Sequence, residues 1–332
     1  MSAPVSTDAG RDDEFLAAAV GVMASAAGAK ALDDLTWWDL LPALDDDEAA
    51  GAVFATLRAQ GRQLADTPAI GGLLAQPFLD AAGRSPGEWL AAIPRRAPGG
   101  AQKRVVLGDA GDRPVLIDEP GRGVFVVDAD AVARETISVA GRLSIAEIDV
   151  DLGGRSPDIA EGDAAPLRDR ATYLARVGLA AEILGAAEQV VADATEYAGL
   201  REQFGRPIGT FQALRHVLAW GTTDCVAIDA TVRRAIELRL DPPARFDATT
   251  KALAGRNGRR ACDRALQAFG GIGFTAEHDH HHFHGRVLVL DALLGTSAEL
   301  THELGVWLRT SGEDPAYPAA VLSVGMVPAG SA

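Results

Sequence analysis

Between residues 171 and 308 the apolar side chains recur every three or four positions, and so long a run of that spacing restricts the chain to long helices laid against one another. Over residues 171–197 the stripe is Leu174, Val177, Ala181, Leu184, Val191 and Ala194. Over 211–238 it is Phe211, Leu214, Leu218, Gly221, Cys225, Ile228, Val232 and Ala235. Each stripe puts one helical face against partners. The stretches "TTKALAGRNGRRACDRALQAF" and "RVLVLDALLGTSAELTHELGVWL" supply two more helices. Four long helices with short joints predict an antiparallel bundle.

The rest of the chain has a different texture. Up to about residue 94 it is rich in Ala and Leu at helical spacing, broken by acidic turns such as "LDDDEAAG", where Asp45, Asp46 or Asp47 can cap the next helix. From 102 to 152 short β-branched runs alternate with Gly, Asp and Pro, a strand-and-turn signature continued by Leu143, Ile145, Ile148 and Val150. The expected architecture is α+β. An N-terminal helical domain (1–94) precedes a short middle β-domain (95–158) and the C-terminal antiparallel four-helix bundle (159–310). The last stretch, 311–332, lacks periodicity and is expected to be a mobile or loosely docked tail.

Charge and cysteine content exclude some functions. A formal net charge of −15 is the wrong sign for a nucleic-acid partner, though a few local arginines can still hold a small anion. Cys225 and Cys262 both fall inside helical patterns, which suits buried thiols in a reducing cytoplasm better than a disulfide or a metal site. The apolar run 15–29 follows Asp12, Asp13 and Glu14, so its flank is acidic where a signal peptide needs basic residues. It is too short to span a bilayer. No membrane association is expected.

Two segments carry more than packing. "LREQFGRPIGTFQALRH" (200–216) joins two bundle helices through a loop rich in Arg, Gln and aromatics. "ALQAFGGIGFTAEHDHHHFHGR" (265–286) ends another helix in glycines. Read singly, Arg201 is a helix C-terminal charge favourable to the dipole, Gln212 a polar residue at a helix restart, and Gly270-Gly271 a C-cap. Together, in this order, the two segments resemble the acyl-CoA dehydrogenase family, with its Arg-x-Gln-Phe-Gly-x-Pro-Ile-x-x-Phe-Gln and Gln-x-x-Gly-Gly-x-Gly-Phe/Tyr-Thr elements. The resemblance covers roughly 171–296. It implies that these elements grip FAD, largely the FAD seated in a neighbouring subunit, and hence an oligomer. Arg201 would then meet the pyrophosphate, Phe204 an aromatic ring of the cofactor, and Gln212 and Gln267 the nucleotide. Gly270, Gly271 and Gly273 would let the backbone come close to phosphate. The histidine run (His278, His280, His281, His282, His284) looks like a metal site, but no carboxylate or Cys set completes a shell, and no physiological metal is expected.

The same resemblance marks what is missing. The family's reaction takes an α-proton from an acyl-CoA thioester and needs a carboxylate base. Where the resemblance places that base, in a Glu-Gly-Thr, this chain has Leu294 before Gly295 and Thr296. At the alternative position, on an earlier helix, it has Ala175. Neither can accept a proton, and the nearby carboxylates Glu182 and Asp291 are expected on helix surfaces. The middle zone keeps only a Glu-Pro-Gly echo, in "LIDEPGRGVFVV", of the family's flavin-ring segment. The implied role is the smaller subunit of a heteromeric acyl-CoA dehydrogenase of the steroid-degradation type. It would pair with a larger catalytic subunit in an α2β2 assembly, with acyl-CoA as substrate and an electron-transfer flavoprotein as acceptor. Two rivals remain at this stage, a homo-oligomeric dehydrogenase with an unrecognised base and a scaffold subunit that never touches flavin.

Overall fold

The computed structural model describes residues 8–26, 28–96, 102–109, 111–137, 139 and 141–312. The tail expected over 311–332 lies outside the described residues from 313 onward. In chain order the helices begin with α1 (Asp8–Ser25), α2 (Ala29–Asp34), α3 (Trp37–Leu40), α4 (Asp47–Gln63) and α5 (Ala69–Ala81). Strands follow: β1 (Leu90–Ala91), β2 (Ile93–Arg96), β3 (Gln102–Leu107), β4 (Val115–Glu119), β5 (Gly123–Val127), β6 (Ala133–Ile137), β7 (Ile145–Asp149) and β8 (Ile159–Ala160). Then come α6 (Glu161–Leu200), the short strands β9 (Glu202–Gln203) and β10 (Arg206–Pro207), α7 (Gln212–Glu237), α8 (Phe246–Phe269), α9 (His280–Asp291) and α10 (Ser297–Thr310). The order helical, β, helical is the one the sequence texture predicts, and the fold is α+β.

Local chemistry explains the boundaries. Of the three candidate aspartates it is Asp46 that caps α4, its carboxylate accepting from the Glu48 and Ala49 N–H groups at 3.0 Å each. The first strand residues, at Leu90, lie ahead of residue 95, and α6 starts at Glu161, a turn before Pro166. Strands β1-β4-β5-β8 form one sheet and β2-β3-β7-β6 another; only the β1–β4 pairing is parallel. Leu90, Val115, Ile117, Phe125 and Val127 from the first sheet close on Val106 and Ile148 from the second, forming a small sandwich core.

Helix α6 is the axis of the molecule. It packs on α4, α5, α7, α8 and α9, and from Val177 to Ala187 every residue is buried. Two glycine positions set how close the N-terminal helices come. A Cβ on Gly185 would overlap the Arg58 carbonyl oxygen, and one on Gly61 would overlap the Glu182 carbonyl oxygen. The backbones of α4 and α6 therefore touch at their crossing.

Two expectations need correcting. Glu182 is not on a helix surface: it is fully buried and paired with the equally buried Arg286 at 2.9 Å. The reason is that α6 is covered on all sides, so a polar residue at any angle along its middle points into protein. The fourth bundle helix is not one helix either. It breaks between Asp291 and Ser297, where Leu294 (φ 52°) and Gly295 (φ 98°) both adopt left-handed backbone. Thr296 then starts α10 with a capping box, accepting from the Glu299 N–H at 3.1 Å while Glu299 accepts from the Thr296 N–H at 3.0 Å. The pattern Thr-Ser-Ala-Glu was the readable sign of that restart.

Candidate functional site

The two glutamine- and glycine-bearing segments, more than fifty positions apart in sequence, meet at one end of the bundle. Tyr197 in the last turn of α6 packs edge-on against Phe269, the last residue of α8, with ring centroids 5.6 Å apart. Helices α6 and α8 thus end side by side, and α7 starts from the same end.

Arg201 closes α6. Its N–H donates to the Tyr197 carbonyl at 2.8 Å and its carbonyl accepts from Ile208 N–H at 2.8 Å, which pins both ends of the intervening loop. Within it β9 and β10 pair antiparallel, and the two residues of the turn, Phe204 and Gly205, have φ of 54° and 77°. Positive φ at both central positions is the type I′ hairpin geometry, for which Asn-Gly is the favoured pair. Glycine occupies its half without strain, but phenylalanine in that region is costly. Phe204 gains little burial in return, being 92% exposed and meeting Phe211 only edge-on at 6.0 Å. An aromatic ring held out at the tip of a strained turn is suited to a surface supplied from elsewhere. Arg206 stacks its guanidinium on Phe211 at 4.2 Å, which stiffens the loop from behind.

The remaining residues of the set share this exposed end. The Arg201 side chain is exposed and forms no ion pair with a described residue. Gln212 is exposed as the first residue of α7, a 26-residue helix with no acidic residue in its first turn and no side-chain cap. Its free N–H groups and dipole favour an anion. Gln267 is exposed in the last turn of α8. Gly270 has φ 64°, and the space in front of Gly270 and Gly271 is open, since a Cβ on either would meet nothing within 4 Å. Gly273 differs: it is buried, and its missing Cβ makes room for Leu266 and Phe269, so it serves packing and not a ligand. The cluster of free guanidinium, amides, open glycine backbone and exposed ring fits a large anionic aromatic group such as FAD.

The histidine run is spread over different partners. His278 lies against Phe269 with centroids 4.1 Å apart, His280 Nε2 is 2.8 Å from the Cys262 carbonyl, and His281 Nδ1 is 2.8 Å from the His278 carbonyl. Among the described residues no group of three or more His, Cys, Asp or Glu side chains is arranged to hold a metal ion.

The two positions where a base is expected are on facing segments, but no carboxylate occupies either. Ala175 is fully buried in α6. The Leu294 carbonyl accepts from Arg176 Nε at 3.0 Å, while Arg176 Nη1 binds Asp247 at 2.8 Å. Leu294 is held from its other side by its N–H on the Pro94 carbonyl at 3.4 Å. Asp291 is half-buried and engaged, accepting from the Ser297 N–H at 3.0 Å and hydroxyl at 3.1 Å. Below this loop sits Lys251, which the sequence reading passed over. It is fully buried, with Nζ 3.1 Å from the Asp291 carbonyl, 3.4 Å from the Gly295 carbonyl and 3.7 Å from the Asp291 carboxylate. Burial outweighs the Asp291 charge and brings the ammonium down to about 8.

A pH prediction follows from Lys251. Its folded pKa lies below its unfolded value near 10.4, so between about 8 and 10.4 the unfolded chain binds more protons. The wild-type protein should therefore gain stability with rising pH across that window relative to Lys251→Met, by roughly 3 kcal/mol in total. Urea unfolding at pH 7, 8.5 and 10 checks this. Parallel pH profiles for the two proteins would mean that the lysine is not desolvated.

Residues 169–304 match the model of the acyl-CoA dehydrogenase C-terminal domain. The acyl-CoA dehydrogenase IpdE2 of Mycolicibacterium smegmatis is 30% identical over 253 residues, 74% of each chain. The acyl-CoA dehydrogenase FadE34 of Mycobacterium tuberculosis is 33% identical over 177 residues, which is 48% of this chain but only 25% of that longer protein. Among solved structures, the Tcur3481-Tcur3483 steroid ACAD G363A variant superposes with a TM-score of 0.71 at 21% identity, covering 91% of this chain and 99% of that one. At that identity the likeness is one of fold. No helix among the described residues is long and apolar enough to cross a membrane. Motif order, bundle geometry and the match to IpdE2 along three quarters of both chains lead to one assignment: this chain belongs to the acyl-CoA dehydrogenase family.

Proposed function

We propose that the chain is the smaller, non-catalytic subunit of a heteromeric FAD-dependent acyl-CoA dehydrogenase in the cytoplasm, lending contacts to a flavin seated in a larger catalytic partner. The observation that carries this reading is the contrast between two ends of one bundle. The end bearing Arg201, Phe204, Gln212, Gln267, Gly270 and Gly271 is exposed, preformed and free of competing ion pairs. The positions where a proton would be removed hold Ala175 and Leu294. The name of the Tcur3481-Tcur3483 steroid ACAD, whose fold this chain shares, supports a paired assembly and a steroid-derived CoA thioester as substrate.

In this reading FAD, when bound, would supply the hydride-accepting chemistry, with an electron-transfer flavoprotein as the expected electron acceptor. What this chain's own residues do is bind and orient. Arg201 forms charge-assisted hydrogen bonds to phosphate oxygens, the open backbone at Gly270 and Gly271 lets phosphate come close, and Gln212 and Gln267 satisfy polar edges of the nucleotide. Phe204 covers an apolar ring and excludes water. The proton-accepting carboxylate and the groups that polarise the thioester carbonyl come from the partner.

Arg201→Ala and Gln267→Ala each remove a hydrogen bond to a charged or polar ligand. Loss of one to a charged group costs about 1.5–3 kcal/mol, so flavin should bind roughly ten- to a hundredfold more weakly in the complex co-expressed with its larger subunit. Absorbance at the flavin band measures this, and Leu294→Ala should leave turnover almost intact. Full flavin retention in both polar variants would sink the assignment, as would a yellow, active protein purified from this chain alone.

A further inference from the structure

The hairpin between α6 and α7 has two faces, and they differ in charge. Gln203 and Arg206 pair across β9 and β10, and Glu202 pairs with Pro207. The Ile208 N–H on the Arg201 carbonyl extends the ladder by one step, so Arg201 stands opposite Ile208. Residues directly opposed across a ladder point to the same side, and so do residues two apart along a strand. Arg201, Gln203 and Arg206 therefore share one face of the hairpin. Glu202, the one carboxylate between 201 and 208, is turned to the other face. Arg201 and Arg206 are diagonal neighbours in this ladder, a relation that sets them roughly 7–8 Å apart. Two side chains of that length can close on one diphosphate from the same side.

Arg206 is so far assigned only a stiffening stack. Its guanidinium lies 4.2 Å from the Phe211 ring centroid, is exposed, and forms no ion pair with a described residue. Stacking occupies a flat face of the group and leaves its edge free, because the N–H donors lie in the plane. Phe211 is the N-cap residue of α7, whose first turn has no side-chain cap and no acidic residue. The stack thus holds a cation beside the open N–H groups of a 26-residue helix, and both favour an anion. The exposed Phe204 ring meets the same Phe211 edge-on at 6.0 Å, so a place for an anion adjoins a place for a ring. A ligand that fills both carries an aromatic ring close to phosphate, as a dinucleotide does.

We propose that Arg206 is a second charged contact to the diphosphate of the cofactor, acting with Arg201 from the same face of the hairpin. The proposal rests on the flavin reading and adds to it a residue that the motif leaves open. Arg206 then has two tasks, to brace Phe211 with its flat face and to bind phosphate with its edge.

The probe is FAD itself, titrated by flavin fluorescence into the flavin-depleted complex of this chain with its larger subunit, at low and at high salt. Arg206→Gln keeps an amide but removes the charge. It is expected to weaken binding roughly tenfold or more at low salt, and to flatten the salt dependence, since one screened attraction is gone. Arg206→Lys should restore the salt dependence but only part of the affinity, because an ammonium keeps the charge without the planar fork. Far-ultraviolet circular dichroism should be unchanged in both, the side chain being exposed. Arg201→Ala, titrated in parallel, separates the two claims. If it loses flavin while Arg206→Gln binds as tightly as wild type, the flavin reading stands and the role of Arg206 is overturned. Weaker binding by Arg206→Gln with an unchanged salt dependence overturns it too, since the residue would then only brace Phe211. If neither variant loses flavin, both readings fall.

Discussion

Replacing Arg286 by alanine is expected to destabilise the protein by about 3–5 kcal/mol, the usual cost of leaving one partner of a buried ion pair alone. Arg286 and Glu182 are both fully buried. Burial pushes the Glu182 carboxyl up and the Arg286 guanidinium down, each opposed by the charge of the other. The guanidinium also donates from Nε to the Gly141 carbonyl at 2.9 Å and from Nη2 to the Ala65 carbonyl at 2.8 Å and the Arg142 carbonyl at 3.2 Å. One side chain on α9 therefore ties the α4–α5 loop, the β6–β7 loop and the central helix together. Gly141 is part of the device: with φ of 101° it lies so close to the Arg286 backbone that a Cβ there would come within 2.5 Å of the Arg286 nitrogen. Chemical denaturation reads the effect. The double variant Glu182→Leu, Arg286→Met should recover much of the loss, because removing both charges removes the uncompensated one. If Arg286→Ala unfolds at the wild-type midpoint, the pair does not join the domains.

Gly185→Ala should be destabilising by about 1–3 kcal/mol or more, the range for overpacking a filled core. In an isolated helix the same change is favourable by roughly 0.5–1 kcal/mol. The sign reverses because the added methyl would overlap the Arg58 carbonyl, a backbone atom that moves only if α4 moves. Gly21→Ala in α1 is the control: that position is exposed with nothing within 4 Å of the new methyl, and the substitution should stabilise. Opposite shifts in melting temperature for two Gly→Ala changes in helices would locate the backbone contact. Equal shifts would mean that α4 and α6 stand further apart.

The helical stripes of α6 and α7 were legible because a helix buried on one side writes its period into the sequence. The stripe at Leu174, Val177, Ala181 and Leu184 is buried as its spacing implies. That same logic misplaced Glu182. A one-sided stripe assumes an outer face, and α6 has none along its middle because α4 and α5 cover it. The break at Leu294 was hidden by apolar residues on both sides of it, with only the capping pair Thr296 and Glu299 to announce a new helix. The motif residues Arg201, Gln212 and Gln267 could be named from residue type and order, but not their exposure or their common location.

Residue order along the chain was enough to settle the succession of helical, β and helical zones, the residue types at positions 175 and 294, and the family. Those are local or compositional properties, carried by neighbours within a turn or two. Which face of each helix is covered, that Arg286 reaches three separate segments, and that Phe204 is held out on a left-handed turn are products of the packing. They depend on backbone approaches such as Gly61 and Gly185 across α4 and α6, between residues more than a hundred positions apart, and no local pattern encodes such a meeting.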